Sequence, residues 1–273
     1  MIPIEYLLSL GAAFIYALSV LFIKRALAEG TGIMRMTFIF NWMMVFLFAP
    51  LVLINGTVHD WSRIWGPLAV SFCLFAAQVL VFMALRKGDV SVQTPVLGTK
   101  ALLVAIFAFF MGRHTIPVSW WVGSTLSVVA IYFLSKTRDC PIIRKNTLQT
   151  VVLAFFGAAF FGLADVIIEV EAQLFGEFPF LVIAMLGAAV GSFVLVPFFE
   201  GRLLDMPKSA FRWQFVGNFL MAAEALMFYI AISFYGKATA ANILYSSRGL
   251  WSVLIVWTIG HWFKNQSIHL AQK

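Results

Sequence analysis

Two stretches decide the fold: GDVSVQTPVLGTKALLVAIFAFFMGR, from Gly88 to Arg113, and GKATAANILYSSRGLWSVLIVWTIGH, from Gly236 to His261. They are one pattern written twice at an offset of 148 residues, with Gly88 matching Gly236, Leu102 matching Leu250 and Gly112 matching Gly260. Thr99-Lys100 aligns with Ser247-Arg248, so each copy carries a hydroxyl followed by a cation. Each run is long and apolar enough to predict a helix that crosses a bilayer, with its cation near the middle. A charge at that depth is costly unless it faces a polar interior, so it marks a substrate or ion pathway.

The rest of the chain is just as apolar. Hydrophobic residues make up 62% of the 273 and charged residues 11%, with a mean hydropathy of +0.94. A soluble domain has about a quarter of its residues charged, so the composition predicts an integral membrane protein. The formal net charge is +7, but the Lys and Arg residues sit between apolar segments instead of forming a patch. That pattern signals membrane topology and argues against nucleic acid as a partner. Cys73 falls in a predicted helix and Cys140 in a predicted loop. They give neither a disulfide framework nor a metal-ligand spacing. Ile4 to Ile23 is long enough to span, lacks a basic leading region and is followed by no A-x-A site, so it reads as a helix and not as a secretory leader. The N-x-S/T matches at Asn55 and Asn265 lie in short segments beside apolar helices and are read as chance.

A spanning helix needs about 20 apolar residues. By that measure the chain has nine candidates, at 4–23, 34–54, 65–85, 92–111, 118–135, 150–172, 178–198, 213–234 and 239–262. The connectors are short and carry the charge, and the widest, Lys136 to Thr147, divides the chain into a first repeat over 1–138 and a second over 147–273. The halves agree in order. GAAF at Gly11 to Phe14 recurs at Gly157 to Phe160, Ala26 and Gly30 recur as Ala172 and Gly176, and Ala76-Ala77-Gln78 returns as Ala222-Ala223-Glu224. Five helices per half is an odd number, so the second copy enters from the opposite side. Inverted repeats place a substrate site near the midplane between them. The second half lacks a match for Pro117 to Ser135. Either this is a nine-helix variant or the sequence is truncated, and the tail from Asn265 to Lys273, which resembles the start of a further segment, favours truncation.

Loop charge sets the orientation. Fourteen Lys and Arg residues lie on the side of the odd-numbered connectors, against Arg63, Arg113 and Lys237 on the other. The positive-inside rule then puts the N-terminus outside and the odd connectors in the cytoplasm of a cell (inner) membrane.

The polar residues inside the predicted spans are the candidate site. Lys100 follows Pro95 and Gly98, where a bent backbone would free carbonyls. Arg248 follows Tyr245-Ser246-Ser247 and precedes Trp251, and a guanidinium beside aromatic rings suits carboxylate or phosphate recognition. The competing reading is that both cations neutralise buried acids and hold helices together. Glu224 is either a proton-coupling group or the fixed partner of Arg248, and its repeat mate Gln78 is a neutral hydrogen bonder lining the cavity. Asp165 and Glu169 share a helix face, with Asp165 deep and Glu169 expected near the end in solvent. Lys100 and Arg248 balance Asp165 and Glu224, so such a cavity can pair its own charges when empty. Gly187-x-x-x-Gly191 is read as close helix packing. No metal cluster, nucleophile elbow, P-loop or dinucleotide fingerprint is legible, so no enzyme and no cofactor is expected. His59, His114, His261 and His269 are isolated at predicted membrane edges.

Two five-helix halves whose fourth and ninth helices close with PVLGTKALLVAIFAFFMGR and LYSSRGLWSVLIVWTIGH resemble the drug/metabolite transporter superfamily, in its EamA-type branch. The resemblance spans the chain apart from the tenth helix. It implies transport of small metabolites through a cavity lined by helices one to four and six to nine. The sequence departs from the family in two ways. Gly112-Arg113 and Gly260-His261 stand where the family has Gly-Glu, and Lys100 and Arg248 stand where it commonly has proline. Relatives that carry nucleotide sugars or sugar phosphates have a cation near the Arg248 position. The family's usual cytoplasmic termini disagree with the loop charge count.

Together these readings describe an all-α polytopic membrane protein that carries a small polar metabolite, anionic or zwitterionic, by alternating access. Lys100, Arg248, Gln78, Tyr245, Trp251 and Ser247 are the expected substrate-binding set, with Glu224 and Asp165 as coupling or ion-pair residues. The partners are the substrate and the lipid bilayer, and the reading admits a proton as coupling ion and a homodimer as assembly. Efflux of lipophilic cations is the alternative. A membrane enzyme lacks its cluster of ligands, and a retinal photoreceptor is opposed by the duplicated halves.

Overall fold

The computed structural model describes residues 3–87, 93, 96–111, 117–136, 147–199, 201–203 and 206–259. Gly88, Pro95, Gly112-Arg113, His114, Cys140, Asn146, Gly260-His261, Asn265 and His269 lie outside the described residues, and so do the expectations placed on them.

Among the described residues the chain is all helical, without strands. Helix α1 spans Ile4–Ala28. Helix α2, Ile33–Phe48, breaks at Ala49-Pro50 and resumes as the single turn α3, Leu51–Ile54. A 3-10 turn, Trp61–Arg63, leads into α4, Trp65–Lys87. Helix α5 is Lys100–Phe110 and α6 is Val118–Lys136. In the second half come α7, Thr147–Phe175, and α8, Glu177–Gly191. Helix α8 tightens into a 3-10 run, Ser192–Phe198, that contains Pro197. Then follow α9, Lys208–Tyr235, α10, Ala238–Tyr245, and α11, Arg248–Ile259.

Six of these segments are long and apolar enough to cross a membrane: Ile4–Ala28, Ile33–Ile54, Trp61–Ala84, Leu148–Phe175, Glu177–Phe198 and Lys208–Tyr235. Val96–Phe110 and Val118–Ala130 are shorter apolar helices. In lipid the backbone must satisfy its own hydrogen bonds, which is why segments this apolar are helical throughout. Phe46, Leu53, Phe110 and Trp257 face outward from the bundle, where lipid tails would meet them.

The halves interleave. Helix α1 lies along α9 and also meets α10 and α11, while α4 lies along α7 and meets α8. Helix α2 packs on α8 and α9, and α5 packs on α7 and α10. The Gly187-x-x-x-Gly191 face meets α4: a methyl group at Gly187 would overlap Ser71 Oγ, and one at Gly191 would press on the Phe75 ring. Ser71 uses that close approach to donate to the Ala184 carbonyl at 2.9 Å.

One end of the bundle is tied by several polar contacts. Lys237 Nζ meets Glu5 Oε1 at 2.9 Å, and that hydrogen bond holds the Lys237 ammonium above its usual range. Arg63 reaches Glu171 at 2.9 Å and Asp60 at 3.3 Å. The His59 N–H donates to the Phe175 carbonyl, and Gln173 Nε2 donates to the Phe234 carbonyl at 2.8 Å.

The buried carboxylates correct one expectation. Glu169 is 5% exposed, not solvated, because α7 runs on to Phe175 and is enclosed by α4, α5, α8 and α9.

Candidate functional site

The helix tightens before each cation. Val96–Gly98 is helical, Thr99 is a turn residue and Lys100 begins α5. Thr99 N donates to the Val96 carbonyl at 3.1 Å, and Thr99 Oγ1 donates to the same oxygen at 2.6 Å. In the second copy α10 ends at Tyr245, Ser246-Ser247 form the turn and Arg248 begins α11. Ser247 N donates to the Leu244 carbonyl at 3.1 Å, and Ser246 Oγ donates to the Ile243 carbonyl at 2.6 Å. Thr99 and Ser246 keep right-handed helical backbone, so each cation follows a 3-10 tightening within a helical run that continues past it. The cause is local: short hydroxyl side chains bond back to carbonyls three residues earlier and tighten the turn.

Lys100 points into the bundle. Its Nζ lies 2.8 Å from Asp165 Oδ2, and the Asp165 side chain is fully buried. Asn242 Nδ2 donates to the same Oδ2 at 2.7 Å and to the Ala238 carbonyl at 3.0 Å. Lys100 from one copy of the repeated stretch and Asn242 from the other thus converge on a carboxylate supplied by α7. Aromatic rings complete the ammonium's surroundings, with Nζ 5.1 Å from the Phe228 ring centre, 5.7 Å from Phe161 and 6.0 Å from Tyr245.

Arg248 is held differently. Its guanidinium lies 4.6 Å from the Tyr245 ring centre and 4.9 Å from that of Tyr16. Among the described residues no carboxylate comes within 4.0 Å of it. Tyr245 is the shared element. It faces both cations, packs on Phe228 at 4.6 Å and donates its hydroxyl to Glu224 Oε1 at 3.2 Å. A π face attracts a cation, so one ring between two like charges reduces their conflict.

The other sequence candidates fall around this centre. Gln78, on α4, exchanges two hydrogen bonds with Asn41 of α2, at 2.8 and 3.1 Å. Trp251 meets Phe14 of α1 edge to face at 5.4 Å. Two polar atoms at the site, Asp165 Oδ1 and Ser247 Oγ, are buried and without a hydrogen-bond partner. Buried polar atoms are nearly always paired, so these two are free to take a ligand or water. Lys100, Asp165, Glu224, Tyr245 and Arg248 are brought together, whereas Gln78 is engaged with Asn41. Sequence reasoning missed Tyr16, Asn41, Phe228 and Asn242. Asn242 was within reach, since the repeat aligns it with Thr94 and gives both copies a polar residue there. Tyr16 and Phe228 carry no such signal in so aromatic a chain.

Helices without strands, six membrane-length spans and a buried cluster of charges among the described residues define a polytopic integral membrane protein. Residues 3–136 match the EamA-like transporter family. The match is consistent with the drug/metabolite transporter superfamily, and EamA-like proteins are membrane transporters of small molecules and not enzymes. No curated protein matches in sequence. Eleven chains of solved structures match in fold. One, titled only "Crystal structure of protein", superposes with a TM-score of 0.74 at 13% identity, over 94% of this chain and 88% of its own. At that identity the likeness concerns the fold alone.

Proposed function

We propose that this protein is a secondary transporter of a small polar metabolite bearing a carboxylate or phosphate, working by alternating access. The observation that carries the reading is Arg248, a guanidinium flanked by the rings of Tyr16 and Tyr245 with no carboxylate in contact among the described residues. Arginine offers a planar fork of donors that matches carboxylate and phosphate oxygens. Its aromatic walls orient that fork without neutralising it. Ser247 Oγ, beside it in sequence and unpartnered, adds a donor for the same anion.

The proposal includes two inverted repeats, over 1–138 and 147–273, making nine spans with the fourth and ninth tightened before their cations. The packing supports this. Exchanging the halves turns the α1–α9 contact into the α7–α4 contact, the α2–α9 contact into α8–α4, and the α5–α7 contact into that of α10 and α11 with α1, and all of these occur. The repeat boundary is where inverted-repeat transporters hold substrate. The charge count keeps the N-terminus outside a cell (inner) membrane.

Lipophilic cations fit this centre less well. The ring faces that would take them, on Tyr16, Phe228 and Tyr245, are already occupied by Lys100 and Arg248. A thermal-shift panel of purified protein against benzoate, inorganic phosphate, sugar phosphates, amino acids and cationic dyes tests the reading. Anionic or zwitterionic compounds should stabilise the wild type and lose that effect in Arg248→Ala. Stabilisation by the dyes alone would overturn it.

A further inference from the structure

We infer that Asp165 is the proton acceptor of the transport cycle, and that its protonation opens the ion pair to Lys100 and hands that cation to the anionic substrate. The inference rests on the reading above that the site takes an anion at Arg248. Three observations lead to it.

First, Lys100 is not available as the structure stands. Its Nζ is 2.8 Å from Asp165 Oδ2, and Asn242 supports the same oxygen at 2.7 Å. Separating a buried pair leaves an uncompensated charge, and protonating the carboxylate removes that cost. Second, Asp165 has a place for a proton. Oδ2 takes both partners, while Oδ1 is buried and takes none. A proton delivered by hydronium forms an O–H bond at Oδ1, and the water left behind departs. Lys100 keeps its own proton, so the pair passes from net zero to net plus one. Third, Lys100 has somewhere to go. The rings of Phe161, Phe228 and Tyr245 surround Nζ at 5.1–6.0 Å, and the Tyr245 ring is the one that Arg248 also faces at 4.6 Å. A released ammonium stays in a cation-stabilising cage beside the second cation. Two cations sharing one ring then favour an anion between them.

Each element packed on α7 presents its own groups to Asp165. Lys100 comes from α5 and Asn242, which does not titrate, from α10. Helix α9 presents Glu224 and Tyr229, both of which feel the Asp165 charge. The buried face of α4 offers Cys73 and that of α8 nothing titratable, while Glu169 and Glu171 follow on α7 itself. Glu224 already accepts the Tyr245 hydroxyl and touches neither cation among the described residues.

The test is calorimetric titration of the purified protein with benzoate, whose charge is constant well above the carboxylate range, in two buffers of different ionisation enthalpy. Wild type should take up about one proton per benzoate, and its affinity should rise as pH falls, by at most about tenfold per unit. Asp165→Asn should bind benzoate with no proton uptake and a flat pH profile. Undiminished uptake in Asp165→Asn overturns the inference. If Asp165→Asn does not fold, the variant carrying Lys100→Gln as well removes both charges together and is read in the same way. If wild type binds no benzoate, the functional reading fails on its own, and infrared spectra of ligand-free protein decide the proton site. Lowering the pH should add protonated-carboxyl absorption of which one component is missing in Asp165→Asn. Identical difference spectra for wild type and variant overturn the assignment.

Discussion

Lys100 Nζ and Asp165 Oδ2 stand 2.8 Å apart, so the first half of the chain is joined to the second by an ion pair inside the bundle. The pair gives the first prediction. Lys100→Ala leaves a fully buried carboxylate facing Asn242 alone and should destabilise the fold by about 3–5 kcal/mol. Lys100→Met combined with Asp165→Leu should cost clearly less, since no unpaired charge remains. Denaturation in detergent of Lys100→Met, Asp165→Leu and their combination, read as a double-mutant cycle, checks this. Additive losses would mean that the pair is not coupled.

Arg248 is predicted to act through its fork and its ring contacts. Arg248→Lys keeps the charge and should weaken carboxylate or phosphate binding by roughly 1–3 kcal/mol. Arg248→Ala should weaken it further. Tyr16→Leu removes one flanking ring, 4.9 Å from the guanidinium, and should cost about 0.5–2 kcal/mol of the same binding. Titration calorimetry with inorganic phosphate measures all three, and unchanged affinities would move the anion site away from Arg248.

In Glu224→Gln the side-chain amide oxygen can still accept the Tyr245 hydroxyl that the carboxylate accepts at 3.2 Å. The variant should therefore fold and bind, and its uptake into vesicles should still respond to an imposed pH gradient. A variant that binds but ignores the gradient would make Glu224 the proton carrier.

Gly187 is a packing position. Gly187→Leu drives a side chain into Ser71 and breaks the Ser71 to Ala184 hydrogen bond. It should cost about 1–3 kcal/mol by overpacking, with ligand affinity unchanged in protein that remains folded. Gly187→Leu at wild-type thermal stability would show that α4 and α8 are not in close contact there.

Orientation is open to a labelling experiment. A cysteine placed at Asn146, in the connector richest in Lys and Arg between the halves, should resist membrane-impermeant thiol reagents in intact cells and react after lysis. Ready labelling of intact cells would put the N-terminus inside.

By itself the sequence determined that the chain lives in a membrane. Composition and the lengths of its apolar runs require helices there, because lipid offers no other partner for the backbone. It also singled out Lys100, Arg248, Asp165 and Glu224, charges that are costly to keep in apolar spans. The offset of 148 residues between the two cation-bearing stretches is legible in the same way.

What the sequence could not decide is which charge meets which. Before folding, Glu224 was as good a partner for Arg248 as Asp165 was for Lys100. Only the crossing of α5, α7 and α10 puts Asp165 between Lys100 and Asn242, and only the approach of α1 puts the Tyr16 ring against Arg248. The tightened turns at Thr99 and Ser246-Ser247 were hidden as well, because hydropathy adds up side chains and does not register a hydroxyl bonding back to its own backbone. Depth in the membrane is a property of each helix and is written in its composition. Partnership between charges is a property of how helices cross, and it exists only once they are packed.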